Sequence, residues 1–243
     1  MNDDLPGAPR PDAARPEAAH PYAPRPYPAG PVLELSGEEG LHRDSDVPLG
    51  DDIVDDRSTA GGRPMREAAV LVPLVHANGE WHLLFIRRAS NERDRHSGQV
   101  AFPGGACEPG DADASTTALR EAREEIGLDP DRVTLLGELP PYITISRYRV
   151  TPVVGRIRWP SPLRLQTSEV ARAFLIPLAW LRRRENMTLR ARKEMDPHSA
   201  RRHPIIVFEP WDGETLWGAT ARMTVNFIKA IDDGRVTLPN TDS

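Results

Sequence analysis

The segment Arg120-Glu121-Ala122-Arg123-Glu124-Glu125 places three carboxylates within five residues. On a helix, Glu121 and Glu125 are i, i+4 and Glu121 and Glu124 are i, i+3, so all three are expected to project from one side. Like charges at that spacing repel. Close to a helix C-terminus the macrodipole disfavours each anion by a few tenths to about 1 kcal/mol. Packing alone gains nothing from this arrangement. A hard divalent cation such as Mg2+ or Mn2+ would offset the repulsion, since it prefers carboxylate oxygens and keeps waters for a substrate. A solvated acidic face balanced by Arg120 and Arg123 is the competing explanation. The preceding loop favours the metal. Gly104-Gly105 lets backbone amides and carbonyls approach an ion or phosphate, because no Cβ intervenes. Arg120 is placed to hold the cluster by charge-assisted hydrogen bonds.

These residues need elements to position them. The apolar run Ala68–Val75 has strand length, Asn78-Gly79 is a hairpin signal, and Trp81 to Ile86 reads as the return strand. A basic segment follows to Gly98, then a short strand over Gln99–Phe102, which Pro103-Gly104-Gly105 is expected to break. Asp113 is a plausible N-cap for a helix on which Ala114, Ala118, Leu119, Ala122 and Ile126 recur at helical spacing. Gly127 stops that helix and Pro130 prevents its continuation. Strands are expected at 133–136, 142–145, 148–154 and 204–208. A short helix is expected over 177–184 and a closing helix over 219–231. Strands with few helices argue for an α+β or three-layer α/β/α fold, not a doubly wound parallel sheet.

The chain has 243 residues, 25 of them proline, and ten of those prolines precede residue 50. Residues 1–62, Pro-rich and then acidic, are expected to form a disordered leader that cannot offset its ordering entropy. The remaining roughly 170–180 residues can bury about 70% of their extended surface in one core. No stretch approaches the roughly 18 uninterrupted apolar residues of a membrane span, and the N-terminus lacks the basic and apolar regions of a secretory signal. The expectation is a cytoplasmic protein. Cys107 is the single cysteine, which excludes an intramolecular disulfide and a cysteine-based zinc cluster. It has no neighbouring base in sequence and is read as incidental. A net charge of −5 gives no global attraction to nucleic acid or anionic lipid.

The pattern Gly105-x5-Asp111-x8-Arg120-Glu121-Ala122-x-Glu124-Glu125-x-Gly127-Leu128 resembles the Nudix box, a loop–helix–loop metal site of hydrolases that act on nucleoside diphosphates linked to another group. It departs in having Asp111 where a glutamate is usual and eight spacer residues instead of seven. Upstream, Leu83 to Ala89 and Arg95-His96-Ser97-Gly98-Gln99-Val100-Ala101-Phe102-Pro103-Gly104-Gly105 look like the signature of coenzyme A pyrophosphatases. Pro140 to Ser146, Thr151 to Val154, Ser168-Glu169-Val170 and Leu216 to Ala221 also resemble that group.

The resemblance implies a Nudix α/β/α sandwich with a mixed sheet between helices, spanning residues 63–235, with 236–243 as a flexible tail. It implies metal-dependent hydrolysis of a phosphoanhydride, with Mg2+ or Mn2+ held by Glu121, Glu124, Glu125 and the Gly104 carbonyl. Arg120 would orient the attacking water and one carboxylate would take its proton. Coenzyme A carries a diphosphate and a 3′-phosphate, and guanidinium groups fork onto phosphate oxygens. Arg87, Arg88, Arg93, Arg95, His96 and Gly105 are the candidate substrate contacts, with Arg147 and Arg149 farther along the chain. Arg182-Arg183-Arg184 is read as a solvated helix face. The partner is a small-molecule diphosphate, with no nucleic acid or membrane, and homodimerisation stays open. The alternatives are a Nudix enzyme for ADP-ribose or a dinucleotide, a catalytically weak Nudix-fold binding module, and a scaffold using the Pro-rich leader.

Overall fold

The computed structural model describes residues 64–90, 98–144, 146–190 and 204–240. The leader therefore lies outside the described residues, as do Arg93, Arg95 and His96.

Strand β1 (Arg66–Ala77) turns at Asn78 and Gly79 into β2 (Glu80–Arg88). Both turn residues have positive φ, 53° and 81°, as a two-residue hairpin requires. The two strands pair directly only from Leu74↔Leu83 to Ala77↔Glu80. Beyond that they part, and the chain re-enters between them. β3 (Val100–Ala101) pairs with β2 opposite Ile86 and Arg87, and β4 (Gly104–Ala106) pairs with β1 opposite Val70 to Ala68. The glycine pair expected to break a strand is itself a short strand. Glycine is needed because a Cβ on Gly104 would lie 2.4 Å from the Ala69 carbonyl oxygen and 2.6 Å from the Val70 Cα.

β7 (Tyr148–Ile157) runs parallel to β1 over ten residue pairs, from Arg66↔Tyr148 to Val75↔Ile157. β5 (Val133–Glu138) and β6 (Tyr142–Ile143) add to it antiparallel. β8 (Val170–Pro177) lies antiparallel along β2. No strand is expected there from the sequence, because its apolar residues do not alternate cleanly and its partner is distant in the chain. The result is a mixed sheet, as expected, with one parallel pair at its centre.

Helix α1 (Ala114–Ile126) covers one face. Asp113 caps it, accepting from the Thr116 N–H at 2.7 Å and from its hydroxyl at 2.8 Å. Gly127 closes it in the left-handed conformation, φ 64°. Ala118, Ala122 and Ile126 pack on Ala69, Leu71, Leu84, Ile86 and Val153. Two alanines in that seam bring the helix axis close to the sheet, so side chains at its edges reach the strand backbone.

The opposite face is covered by α2 (Leu178–Leu181), a two-stranded sheet of β9 (Met187–Arg190) and β10 (Ile205–Phe208), and α3 (Gly218–Asp232). α2 is shorter than the helix expected over 177–184. β9 was not expected either, since it pairs only with β10. The core here includes Val72, Leu74, Leu83, Phe85, Phe102, Phe208, Met223 and Phe227. Val236 is buried and Leu238 packs on the same core, so the body continues into the stretch expected as a tail. Among the described residues no helix is long and apolar enough to cross a membrane.

Candidate active site

Two close approaches define the site. The Gly104 N–H donates to Glu125 Oε2 at 2.9 Å, and a Cβ on Gly105 would fall 2.6 Å from the Glu121 carboxylate. The wedge of β3 and β4 between β1 and β2 thus presses glycine backbone against α1. Here the glycine backbone closely approaches two carboxylates, Glu125 through the Gly104 amide and Glu121 beside Gly105.

Glu121, Glu124 and Glu125 do not share one environment. Their side chains are 16%, 58% and 2% exposed. At about 100° per residue, i+3 and i+4 fall on opposite sides of i, so Glu124 and Glu125 diverge by a full residue's rotation. The expectation of one projecting face is corrected: Glu125 points into the sheet, Glu121 lies at the seam, and Glu124 reaches solvent. Among the described residues no three carboxylate, imidazole or thiol groups converge on one point.

Arg120 organises the outer part. Its Nε and Nη2 donate to the two oxygens of Asp111 at 3.1 and 3.0 Å, and Nη2 also donates to the Ala106 carbonyl at 3.1 Å. Nη1 donates to Glu121 at 2.9 Å and to Glu124 at 3.1 Å. A guanidinium has five N–H donors, and all are engaged. Arg120 therefore has none left to orient a water, contrary to expectation; it fixes the carboxylates and the loop. Asp111, in the place of the usual glutamate, also accepts from the Glu108 N–H and the Thr117 hydroxyl, each at 2.9 Å. The bonded Arg120 holds its carboxyl well below the usual carboxylate range. The shorter side chain still completes the brace across the longer spacer.

Burial dominates the electrostatics of the inner carboxylates. It pushes Glu121 up against the opposing pull of Arg120. It pushes Glu125 up to about 7, although the Gly104 N–H and Arg88 favour the ionised form. Arg88 Nη1 stands 3.8 Å from Glu125 Oε1, an ion pair without a tight hydrogen bond. Glu169, exposed at the start of β8, adds negative potential at both Glu121 and Glu125. It was not singled out from the sequence as a site residue. Its signal was the segment Ser168-Glu169-Val170, and its place is set by the Ala89 N–H bond to its carbonyl at 2.7 Å.

Arg87 belongs elsewhere. Successive strand residues face opposite sides of a sheet. Arg88 reaches the α1 face, whereas Arg87 donates to buried Glu214 on the other face at 3.1 Å. The expectation that Arg87 and Arg88 both serve the phosphates is corrected for Arg87. Arg149 pairs with Glu67 at 3.6 Å, and Arg182 pairs with Asp232. Cys107 is partly buried beside the loop.

The NUDIX domain family model matches residues 65–199, more than half of the chain. The chain belongs to the Nudix family. It is 40% identical over 156 residues to "Uncharacterized Nudix hydrolase NudL" of Cronobacter sakazakii, covering 64% of this chain and 78% of that one. The same-named protein of Escherichia coli K12 is 39% identical over 152 residues, covering 63% and 70%. Among solved structures, a MutT/nudix family protein from Enterococcus faecalis matches with TM-score 0.44 and 16% identity, over 70% of this chain and 63% of that one. An Ap4A hydrolase complex from Caenorhabditis elegans matches with TM-score 0.40 and 20% identity, over 47% and 81%.

Nudix hydrolases in general act on nucleoside diphosphate derivatives and require a divalent metal. The donors here fit that requirement. They are carboxylate oxygens, the set a hard cation prefers. Glu125 carries a buried charge that Arg88 compensates only at a distance, and glycine at 105 leaves free the space beside the Glu121 carboxylate that a Cβ would fill. Glu124 would join them by turning away from Arg120.

Proposed function

We propose that this Nudix hydrolase cleaves the diphosphate of coenzyme A or its derivatives, giving 4′-phosphopantetheine and adenosine 3′,5′-bisphosphate. The observation that carries the reading is the placement of Arg88. It is one of the arginines of the coenzyme A-like signature, and it faces the Glu125 carboxylate from β2. Its N–H bonds the Gln99 carbonyl at 3.0 Å, which joins that signature to the wedge carrying Gly104 and Gly105.

Glu121, Glu124, Glu125 and the Gly104 carbonyl would hold Mg2+ or Mn2+. When bound, such an ion neutralises charge on phosphate oxygens and favours ionisation of water. Arg120 keeps Glu121 in place. Arg88 offers a fixed cation to a phosphate oxygen beside the carboxylates. Glu169 has the solvent access needed to take a proton from attacking water at its carboxylate. Glu125, closed in and bonded to the Gly104 N–H, lacks that access. Arg93, Arg95 and His96 remain candidates for the 3′-phosphate, on the strength of the sequence alone. Activity is assigned to residues 63–235, and a chain starting near Arg63 should keep kcat/KM within a few-fold.

A panel of coenzyme A, dephospho-coenzyme A, ADP-ribose and a dinucleotide, with Mg2+ and Mn2+ and products identified by mass, tests the reading. A charge-assisted hydrogen bond to the 3′-phosphate predicts a preference of roughly 10- to 150-fold for coenzyme A over its dephospho form. Arg88→Ala should lower kcat/KM on every diphosphate in the panel by about tenfold or more. Preferential turnover of ADP-ribose or the dinucleotide would overturn the coenzyme A assignment.

A further inference from the structure

Glu214 is as buried as Glu125, at 3% exposure, yet it lies on the opposite face of the sheet and has no part in the site described above. Its Oε1 accepts from Arg87 at 3.1 Å and from Arg172 at 3.2 Å. It closes a two-residue turn, Trp211 to Glu214, in which Asp212 and Gly213 both have positive φ, 49° and 77°. The two ends of that turn exchange backbone hydrogen bonds of 2.9 Å. Asp212 binds the same Arg172 through its side chain, and its carbonyl accepts from Nη1 at 3.1 Å. Trp211 Nε1 donates to the Leu175 carbonyl at 3.1 Å. The hairpin tip is therefore fastened to β2 and β8 at several points.

The fastening falls on an irregularity. Arg87 pairs with Arg172, but Arg88 pairs with Val170, so Ala171 is an extra residue and the strands bulge between Arg87 and Arg88. A bulge re-aims the side chains beside it and weakens the local ladder. The residues next to this bulge on the α1 face are Arg88, which meets Glu125, and Glu169, whose carbonyl holds the Ala89 N–H. Of the two partners that Glu214 grips, Arg87 adjoins Arg88 in β2, and Arg172 pairs with Arg87 on the other side of the bulge from Glu169.

We infer that Glu214, through Arg87 and Arg172, is a positioning residue that fixes the bulge so that Arg88 faces Glu125 and Glu169 stays near the Glu121 and Glu125 carboxylates. The hairpin tip around Asp212 and Gly213 thereby serves catalysis from the far side of the sheet. The inference rests on the reading of Arg88 and Glu169 as site residues.

The test is a double-mutant cycle in the full chain, combined with hydrogen exchange. Glu214→Gln keeps an acceptor but removes the charge. It should lower kcat/KM about tenfold in the unmutated background and by clearly less in the Arg88→Ala background, where only the part that passes through Glu169 remains. Amides in 84–90 and 168–174 should exchange faster in Glu214→Gln, with α1 unchanged. Asp212→Ala removes only the exposed outer anchor and should reproduce the exchange pattern at smaller amplitude; it carries the test if Glu214→Gln does not fold. Equal losses in both backgrounds, or unchanged exchange at the bulge, overturn the inference. If the unmutated protein hydrolyses no diphosphate, the functional reading fails, and the exchange data alone then decide whether Glu214 holds the bulge.

Discussion

Glu125 and Glu214 lie on opposite faces of one sheet, with side chains only 2% and 3% exposed, but their surroundings differ. Glu214 has guanidinium nitrogens at 3.1 and 3.2 Å from Arg87 and Arg172. Glu125 has one backbone N–H at 2.9 Å and a guanidinium nitrogen no closer than 3.8 Å, and two further carboxylates add to its negative potential. Burying a charge is costly unless it is paired and hydrogen-bonded. The Glu214 face meets that condition with its own side chains. The Glu125 face meets it only in part, which suits a carboxylate whose remaining compensation comes from a cation. The same strand supplies the neighbours on both sides, Arg87 to one and Arg88 to the other.

The largest test of this contrast is turnover. Glu125→Gln should reduce kcat by on the order of 10²–10³, as expected when a preorganised electrostatic contact to the transition state is lost. Near-wild-type turnover at saturating Mg2+ would remove Glu125 from the site and end the contrast.

Glycine substitutions sharpen it next. Gly104→Ala sets a Cβ 2.4 Å from the Ala69 carbonyl and 2.6 Å from the Val70 Cα, so backbone must move. A stability loss of about 3 kcal/mol or more is expected by denaturant unfolding, at the upper end of single-residue effects. Gly105→Ala meets the carboxylate end of Glu121, at 2.6 Å, rather than backbone. Its folded stability should stay within about 1 kcal/mol of wild type, while turnover falls at least about tenfold because Glu121 is displaced. Equal stability losses for the two would show that the wedge does not distinguish its glycines.

Neutralising the two buried carboxylates should shift stability in opposite directions. Glu214→Ala leaves two partly buried guanidiniums without their shared acceptor and should cost about 2–3 kcal/mol. Glu125→Gln should stabilise the metal-free protein at pH 8. Glu125 is raised to about 7 in the folded state, from an ordinary value of 4.5. Its protonated form therefore favours folding, an advantage fully present below about pH 4.5 and lost as pH rises through about 7. The gap between Glu125→Gln and wild type should be about 2–3 kcal/mol at pH 8 and close as pH falls through that window. Thermal unfolding of both variants across pH 4–8 measures it. A Glu125→Gln protein no more stable than wild type at pH 8 would mean that Arg88 compensates the charge after all.

Much of the candidate site is local and could be read from the chain. The Asp113 cap, the Gly127 stop, the Asn78-Gly79 hairpin and the value of two adjacent glycines all depend on neighbours a few residues away. Other features were missed for a common reason. β8 and β9 are strands because of partners far along the chain. The Asp212-Gly213 turn carries a hairpin signal in its sequence, but nothing local indicates that its tip grips β2 and β8. Glu169 acts on the Glu121 and Glu125 carboxylates from a residue distant in the chain, beside Ala89, which bonds its carbonyl across the sheet.

The helical spacing of Glu121, Glu124 and Glu125, the acidic chemistry it implies and the Nudix resemblance were determined by the sequence itself, because i, i+3 and i, i+4 geometry needs no tertiary partner. Tertiary structure decided which carboxylate is buried and which is solvated. It also decided that Arg120 spends every donor on bracing, and that Arg87 and Arg88 serve different faces. Those outcomes turn on desolvation and on charge separations of a few ångströms in space, and groups drawn from β2, β4, β8 and the 211–214 turn acquire such separations only when the sheet is assembled.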